Sequence, residues 1–361
     1  MTGFGRSMTD ALDWLVDDAI AAPGAESFLA SLAVRLVAGG LPLAGAALTL
    51  TAPHPIIARR TWLWQADSGR VIEALGFALA PGQDTVGRDW LAALGTGLVR
   101  ETAAGSAGNA PVLGWALSRP LAEAEAAHLA DVARFAAAPL AVIAARATLA
   151  ALLETYLGKR SAAQVMAGRL RRETGETIRA VLLHADLRGF TEFSEATPPD
   201  AVIGALDAWF DRIAGAVHAF GGEVLKFIGD GVLAIFPVGT RPASAACDAA
   251  LRAVAAARAG MAHLDQVRGA QGLPPLPFGM ALHLGDMLWG NIGTADRLDF
   301  TAIGPAVNLA GRLEGLCRPL GRSVLISGAV AAETSTPLIP LGSHILRGIA
   351  EPCAVFTLAD T

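Results

Sequence analysis

Three short segments in the second half of the chain carry polar side chains that could bind metal ions or phosphate groups. In HADLRGFTEF, Asp186 closes an apolar strand and precedes a glycine-containing turn. In GGEVLKFIGDGVLAIF, Asp230 stands at the apex of a predicted hairpin and Lys226 lies within an otherwise apolar strand. In LDFTAIGPAVNLAGRLE, Asn308 and Arg312 are four residues apart. They therefore share one face of a predicted helix, where both can approach one phosphate group.

Most of these residues also have an ordinary structural explanation. An Asp at a strand end is commonly a cap, Asp-Gly favours a hairpin turn, and an Asn and an Arg four apart often form a solvated helix face. Lys226 is harder to explain in this way. A lysine on the same strand face as Val224 and Ile228 costs stability unless a partner compensates its charge.

The elements that must position these residues alternate between strands and helices. Apolar runs and helical periodicity predict five strands and three helices, namely strands 178–185, 223–228, 232–236, 278–284 and 323–326 and helices 199–217, 243–264 and 305–316. The Gly-Asp-Gly at 229–231 is a strong hairpin signal. This order predicts an α+β fold with βαββαβ connectivity, as in ferredoxin-like domains.

The first part of the chain predicts a separate α+β unit. A helix at 27–36, strands at 44–51 and 56–65, and an Ala- and Leu-rich helix from 120 to about 157, interrupted at Pro139, follow from the residue pattern. In composition this part resembles a GAF-type sensor domain. We therefore predict a GAF-like sensor at 1–150, a helical linker at 151–176 and a catalytic domain at 177–361.

Histidines and basic residues in the predicted sensor and linker can be explained by ordinary structural roles. His54 and His128 are candidates for haem or metal ligands, but isolated histidines are more often structural or lie at the surface. Arg169, Arg171 and Arg172 are expected to continue the connecting helix towards the catalytic domain. A signal could pass through this helix by changing how two catalytic domains face each other.

Composition excludes several classes of protein. Hydrophobic residues make up 53% of the chain, but many are Ala, and the apolar stretches 36–52 and 135–145 are broken by Gly and Pro or too short, so no membrane span is expected. No secretory signal is apparent, which predicts a cytoplasmic protein. Three distant cysteines predict neither disulfides nor a zinc site. A net charge of -5 without a basic run argues against nucleic acid as a partner.

Taken together and in this order, the three segments resemble the catalytic domain of class III adenylate and guanylate cyclases, over about residues 177–358. The resemblance implies that Asp186 and Asp230 hold two divalent cations, Mg²⁺ or Mn²⁺. Neighbouring carboxylates raise each other's pKa, so a site that uses both in ionised form favours cations. The resemblance also implies that Lys226 and Thr301 recognise adenine.

The same resemblance implies roles for further residues. Asn308 and Arg312 match the family's transition-state residues, and Arg347, in HILRGIAEP, falls where the family binds the triphosphate. Phe190 and Thr191, within the first segment, are additional substrate-binding candidates. Guanidinium groups are well suited to charge that develops on phosphate oxygens.

The implied activity is conversion of ATP to 3′,5′-cyclic AMP and diphosphate by two-metal in-line attack of the ribose 3′-hydroxyl on the α-phosphate. A cationic Lys226 can only donate, which favours adenine, whose N1 accepts, over guanine, whose N1–H donates. Thr301 can serve either base. Family members that prefer GTP have Glu and Cys at these two positions. Pro305, where many relatives have Asp or Asn, is a departure outside the matched catalytic set.

Other functions remain open. The chain could be a non-catalytic nucleotide-binding relative or a cyclase that uses GTP. A diguanylate cyclase is disfavoured because Val-Leu-Lys follows the Gly-Gly-Glu at 221–223, and a P-loop NTPase because no GxxxxGK[ST] string occurs. The resemblance implies a homodimer with shared active sites, ATP as substrate, and an unknown small-molecule or protein signal at the N-terminal domain.

Overall fold

The computed structural model describes residues 3–51, 57–77, 86–94, 97–106, 108–169, 175–294, 296–349 and 351–359. Contacts divide the chain into two compact units, Met1–Tyr156 and Leu157–Thr361. The boundaries 1–150, 151–176 and 177–361 stay predictions. His54, Arg171 and Arg172 lie outside the described residues.

The first unit combines an antiparallel sheet with helices. Its helices are α1 (Gly3–Asp17), α2 (Ala25–Ala38), α3 (Val86–Ala93) and most of α4 (Glu123–Met166), with a 3₁₀ turn at Ala19–Ala21. Its strands are β1 (Leu43–Thr51), β2 (Ile57–Gln65), β3 (Val71–Phe77), β4 (Leu98–Ala103) and β5 (Val112–Leu117), in the sheet order β3-β2-β1-β5-β4.

Both faces of this sheet are covered by apolar side chains. On one face, Phe28 of α2 and Leu129 of α4 pack with Leu48 and Trp115 in a large core. On the other face, Leu91 of α3 belongs to a smaller cluster. His128 is buried on α4, where desolvation lowers its pKa. The GAF-like assignment of this unit stays a prediction.

Helix α4 is interrupted at a different residue from the one expected. The helix continues through Pro139, whereas Gly158 has non-helical angles of φ 77° and ψ 160°. A proline can be accommodated by a local bend of a helix, but a positive φ is a conformation that glycine adopts with little strain. The prediction of an interruption at Pro139 is therefore wrong, and Gly158 separates the last turns of α4 from the rest.

By length and composition alone, α4 is long and apolar enough to cross a membrane. Its most apolar 18-residue stretch is 22% buried, while Leu129, Val132 and Ala136 lie in the core of the first unit. A core helix of a globular unit passes the same test. The absence of a membrane span therefore stays a prediction.

The second unit is built on a large mixed sheet. Its strands are β6 (Gly175–Leu187), β7 (Glu223–Ile228), β8 (Gly231–Pro237), β9 (Phe278–Gly293), β10 (Leu298–Ile303), β11 (Val324–Ser327), β12 (Leu338–His344) and β13 (Cys353–Leu358). Its helices are α5 (Phe190–Ala196), α6 (Pro199–Ala219), α7 (Ala243–Ala270), α8 (Pro305–Glu314) and α9 (Gly328–Ala331). The sheet order is β12-β13-β11-β9-β6-β8-β7, and β10 pairs with β9.

The predicted βαββαβ connectivity is confirmed in the centre of this sheet. Strands β6, β7, β8 and β9 lie in the order β9-β6-β8-β7, and every neighbouring pair among them is antiparallel. Helices α6 and α7 pack on one face, where Trp209 and Val254 share a core with Val181. Helix α8 packs on the other face, where Ala310 joins Leu182. The alternation along β6 therefore directs Asp186 towards the α8 side.

The sequence pattern missed a hairpin. Strand β9 was expected to end near residue 284 but continues to Gly293 and folds back as β10. Thr301 therefore lies on a strand that the residue pattern did not predict.

Candidate active site

The side chains of Asp186 and Asp230 lie close enough to share a hydrogen bond. Asp186 is the penultimate residue of β6, and Asp230 is in the turn between β7 and β8. Because β8 pairs with β6, the hairpin turn lies beside the end of β6. Sequence reasoning placed these two carboxylates together, and the structure brings them together.

The surroundings of this acidic pair oppose the ionised form of Asp186. Desolvation raises the pKa of Asp186 to about 7, with further contributions from the hydrogen bond and charge of Asp230 and from the charge of Glu314. A divalent cation would favour the charged form of both aspartates. Two crowded carboxylates are therefore a donor set that fits a divalent cation, and Mg²⁺ is often held by one or two carboxylates plus phosphate oxygens and water.

Helix α6 fixes the turn that carries Asp230. The indole Nε1 of buried Trp209 donates a hydrogen bond to the backbone carbonyl of Asp230 at 2.9 Å. Trp209 also packs on Phe278, with ring centroids 5.7 Å apart. The apolar side of α6 thus helps to set the position of one acidic residue.

A third carboxylate, that of Glu314, lies next to the acidic pair. It occupies the space over Gly279, the residue that pairs with Asp186 across β6 and β9, and a Cβ at Gly279 would overlap it. Desolvation raises the pKa of Glu314, while the charge of Arg188 lowers it. The Arg188 side chain is itself held by the Arg322 carbonyl.

Sequence reasoning missed Glu314, although a signal for it was present. Ala306, Ala310 and Leu313 form the buried face of α8, and Glu314 follows Ala310 by four residues. A carboxylate at such a position lies on an otherwise apolar face, which calls for a partner or a function. Within the described part of the chain, no group of three or more His, Cys, Asp or Glu side chains is arranged to hold a metal ion. We therefore treat Asp186 and Asp230 as the candidate ligands and Glu314 as their neighbour.

Lys226 forms an ion pair with Asp299 of β10. The expectation that a partner compensates its charge is confirmed, but the expectation that Lys226 shares a strand face with Val224 is wrong. A register shift lies between Val224 and Lys226, and Lys226 pairs across the hairpin with Leu233. Val224 packs against the core under α6 and α7, whereas Leu233 belongs to the core under α8. The bulge therefore turns Lys226 towards the α8 side.

Thr301 is two residues beyond Asp299 on β10 and therefore lies on the same face of that strand. It is half-buried. The ion pair of Lys226 with Asp299 thus brings the two expected base-recognition residues into one region of the unit. Asp299 itself was not predicted, because the contact between β7 and β10 depends on the hairpin that the residue pattern missed.

Asn308 and Arg312 lie on the solvent-exposed side of α8, as the four-residue spacing predicted. Among the described residues, neither side chain makes a hydrogen bond or an ion pair. Arg347 is also exposed, in the loop between β12 and β13. These three groups are available to a ligand or to another chain, and no ion pair joins them to Asp186 or Asp230 within the described ranges.

Phe190 and Thr191 begin α5, directly after the turn that follows β6. The Phe190 ring is partly buried against the core, 6.3 Å from the ring of Phe193. Thr191 is exposed. Phe190 thus has a packing role in this unit, and a substrate-binding role for either residue stays a prediction.

Comparison with known proteins identifies relatives of this second unit. Residues 174–337 match the family model described as the adenylate and guanylate cyclase catalytic domain. Adenylate cyclase 1 of Rhizobium meliloti (strain 1021) is 36% identical over 171 residues, 46% of this chain and 25% of that protein. The adenylate cyclase of Anabaena cylindrica is 33% identical over 165 residues, 45% of this chain and 32% of that protein.

A solved structure is also similar to this chain. The crystal structure of the adenylyl cyclase CyaB from P. aeruginosa has 28% identity and a TM-score of 0.48, and the match covers 52% of this chain and 97% of that one. For the two adenylate cyclases of Rhizobium meliloti and Anabaena cylindrica, the matched segment is only 25% and 32% of the length of the relative.

Proposed function

We propose that this chain, whose residues 174–337 match the family model of the adenylate and guanylate cyclase catalytic domain, is an adenylate cyclase that converts ATP to 3′,5′-cyclic AMP and diphosphate. The observation that carries the proposal is the contact between the Asp186 and Asp230 carboxylates at the end of β6. In the reaction, the ribose 3′-oxygen forms a bond to the α-phosphorus while the bond to diphosphate breaks. The 3′-hydroxyl proton is released to solvent.

Asp186 and Asp230 would hold two divalent cations, Mg²⁺ or Mn²⁺. Bound there, such ions acidify the ribose hydroxyl and neutralise the triphosphate. The contribution of the chain is to keep both carboxylates in place, through β6 and through the turn that Trp209 anchors. Glu314 adds negative charge beside them, which strengthens the attraction for a cation.

Arg312, Asn308 and Arg347 would act on the other side of the nucleotide. A guanidinium fork at Arg312 can donate to the oxygens of the α-phosphate as charge develops in the transition state. Asn308, one turn earlier on α8, would orient the ribose, and Arg347 would bind the departing diphosphate. All three are exposed. Among the described residues, none of the three side chains has an ion-pair partner that must be released before it binds a nucleotide.

Base selection would follow from Lys226 and Thr301. The Lys226 ammonium donates to adenine N1 but cannot accept from guanine N1–H. The Thr301 hydroxyl can accept from the adenine amino group. Selection of ATP over GTP therefore depends mainly on Lys226.

Two copies of the chain would complete each site. In this proposal the acidic pair of one copy faces Lys226, Asn308 and Arg312 of the other, so a homodimer has two sites. Asn308 and Arg312 are exposed and have no side-chain partner in the described part of the chain, which supports this arrangement. The first unit would regulate activity in response to a small-molecule or protein signal, by changing the mutual orientation of the catalytic domains.

Incubation of the purified chain with ATP or GTP and Mn²⁺, followed by mass-spectrometric identification of the product, tests this function. We expect cyclic AMP from ATP in excess over cyclic GMP from GTP, and roughly 10³-fold less product from an Asp186→Asn variant. Nucleotide binding without any product would instead identify a non-catalytic relative. Cyclic GMP as the main product would overturn the base assignment.

A further inference from the structure

The ion pair between Lys226 and Asp299 joins strands that are not neighbours in the sheet. Strands β8 and β6 lie between β7 and β9, and β10 pairs with β9 alone. Residues of β7 and β10 nevertheless lie close together, and Phe300 and Leu225 pack against the same core. The β9–β10 hairpin therefore curls over the α8 face of the sheet and brings Asp299 to Lys226.

Strand β10 is held firmly enough to position a side chain. Asp299 pairs with Ile292 and Thr301 pairs with Gly290 on β9. Between them, the ring of Phe300 stacks on buried Trp289, with centroids 5.0 Å apart and an interplanar angle of 23°. An aromatic pair of this kind restricts the strand more than its hydrogen bonds alone would.

The ion pair contributes little to folding. The Lys226 side chain is 38% exposed and that of Asp299 is 52% exposed, and ion pairs in such surroundings add little stability. An Asp299 variant should therefore fold. The consequence of the pair is geometric, because a lysine has a long flexible stem and three donors that otherwise sample many directions.

We propose that Asp299 is a positioning residue that sets base selectivity through Lys226, an inference that rests on the proposed function. The carboxylate accepts one Lys226 N–H and holds the ammonium beside Thr301, so that another N–H is directed at adenine N1. The ion pair also occupies a carboxylate that would otherwise accept hydrogen bonds from guanine N1–H and its 2-amino group. Asp299 thus favours ATP by orienting one donor and by keeping its own acceptor oxygens occupied.

Measurement of kcat/KM for ATP and for GTP in Asp299→Asn tests this role. We expect the ATP-to-GTP ratio to fall about tenfold, the scale of one charged hydrogen bond. Asp299→Glu keeps a carboxylate and should retain most of the selectivity. Asp296→Asn is the matched control, since Asp296 lies in the same hairpin and pairs with Thr294 rather than with Lys226, and its ratio should equal that of the wild type.

A second measurement separates action through Lys226 from a structural effect. In a Lys226→Met background, Asp299→Asn should not lower the preference for ATP any further, because the residue that it positions is absent. In Lys226→Met the Asp299 carboxylate has lost its lysine partner, so it should raise kcat/KM for GTP. The double variant lacks this carboxylate and should lose that increase. Equal losses for ATP and GTP in Asp299→Asn, or additive losses in the double variant, would overturn the proposal.

Displacement of a fluorescent ATP analogue by ATP and by GTP, on the same variants, keeps this test separate from the test of catalysis. A wild-type chain that makes no cyclic nucleotide would end the proposed function, while its binding ratio would still report on Asp299. If the wild-type chain makes cyclic AMP and Asp299→Asn leaves the ATP-to-GTP ratio unchanged in both assays, only the role of Asp299 is overturned.

Discussion

Two pairs of side chains differ in the contacts that the chain itself provides for them. One is the acidic pair of Asp186 and Asp230, and the other is the exposed pair of Asn308 and Arg312. The acidic side chains contact each other, and Asp186 is half-buried, with a pKa raised to about 7. Asn308 and Arg312 lie in solvent and contact no described side chain by a hydrogen bond or ion pair.

Helix α8 connects the two regions. Its last residue, Glu314, lies over Gly279 next to Asp186, while Asn308 and Arg312 are on its outer side. One short helix therefore contributes charge to the acidic region and presents donors to a second region. In the proposed function, the acidic region would bind cations within one chain, whereas the donors would act on a nucleotide held between two copies.

The largest effect is expected at the acidic pair. Asp186→Asn or Asp230→Asn should lower cyclase activity by roughly 10³-fold, because a bound cation stabilises the transition state by several kcal/mol. Steady-state assays with Mn²⁺ and ATP measure this loss. Asp207→Asn, on the exposed side of α6, is the matched control and should retain full activity. Activity within about tenfold of wild type in both aspartate variants would contradict the role proposed for the acidic pair.

A smaller loss that is confined to catalysis is expected at Arg312. Arg312→Ala should lower kcat on the order of 10²-fold, the cost of one donor to developing charge. Arg312 is exposed and unpaired among the described residues. The melting temperature and Mn²⁺ affinity of Arg312→Ala should therefore equal those of the control variant Arg318→Ala. Loss of cation binding in Arg312→Ala would show that the two regions are not independent.

The smallest effect is on stability without cations. Since the folded state retains the Asp186 proton up to about pH 7, while the unfolded chain releases it near pH 4, stability from this group is present below about pH 4 and lost as pH rises through about 7. Urea unfolding in EDTA should show this fall. Asp230→Asn should flatten the slope, because the Asp230 carboxylate contributes to the raised pKa of Asp186.

Added Mn²⁺ provides the complementary control for the pH experiment. A cation binds the deprotonated carboxylates, so saturating Mn²⁺ should offset the stability that the wild type loses as pH rises from about 4 through about 7, and should not do so in Asp230→Asn. An identical slope in the wild type and in Asp230→Asn, with or without Mn²⁺, would contradict the assigned surroundings of Asp186.

Local sequence signals predicted the core of the second unit well. Pro199 begins α6, the Gly-Asp-Gly turn joins β7 to β8, and Pro305 begins α8, all as expected. These signals work because turn and cap residues act on the backbone over only a few positions. The acidic pair followed from them, since the order of strands places the end of β6 beside the hairpin turn.

Features that depend on distant contacts were not predictable in this way. The β9–β10 hairpin is rich in exposed and glycine positions, so no alternation of apolar residues marked it, and with it Asp299 was missed. The bulge that turns Lys226 depends on the pairing between β7 and β8. The positive φ of Gly158, rather than the conspicuous Pro139, interrupts α4, because propensity at one residue does not specify how a long helix is packed.

Co-expression of Asp230→Ala with Arg312→Ala tests most directly whether the two regions meet in one site between copies. Each variant alone should be nearly inactive. Random pairing gives half mixed dimers with one intact site each, so activity should recover to about a quarter of the wild type. No recovery, in the presence of dimers that contain both variants, would contradict a site shared between two chains.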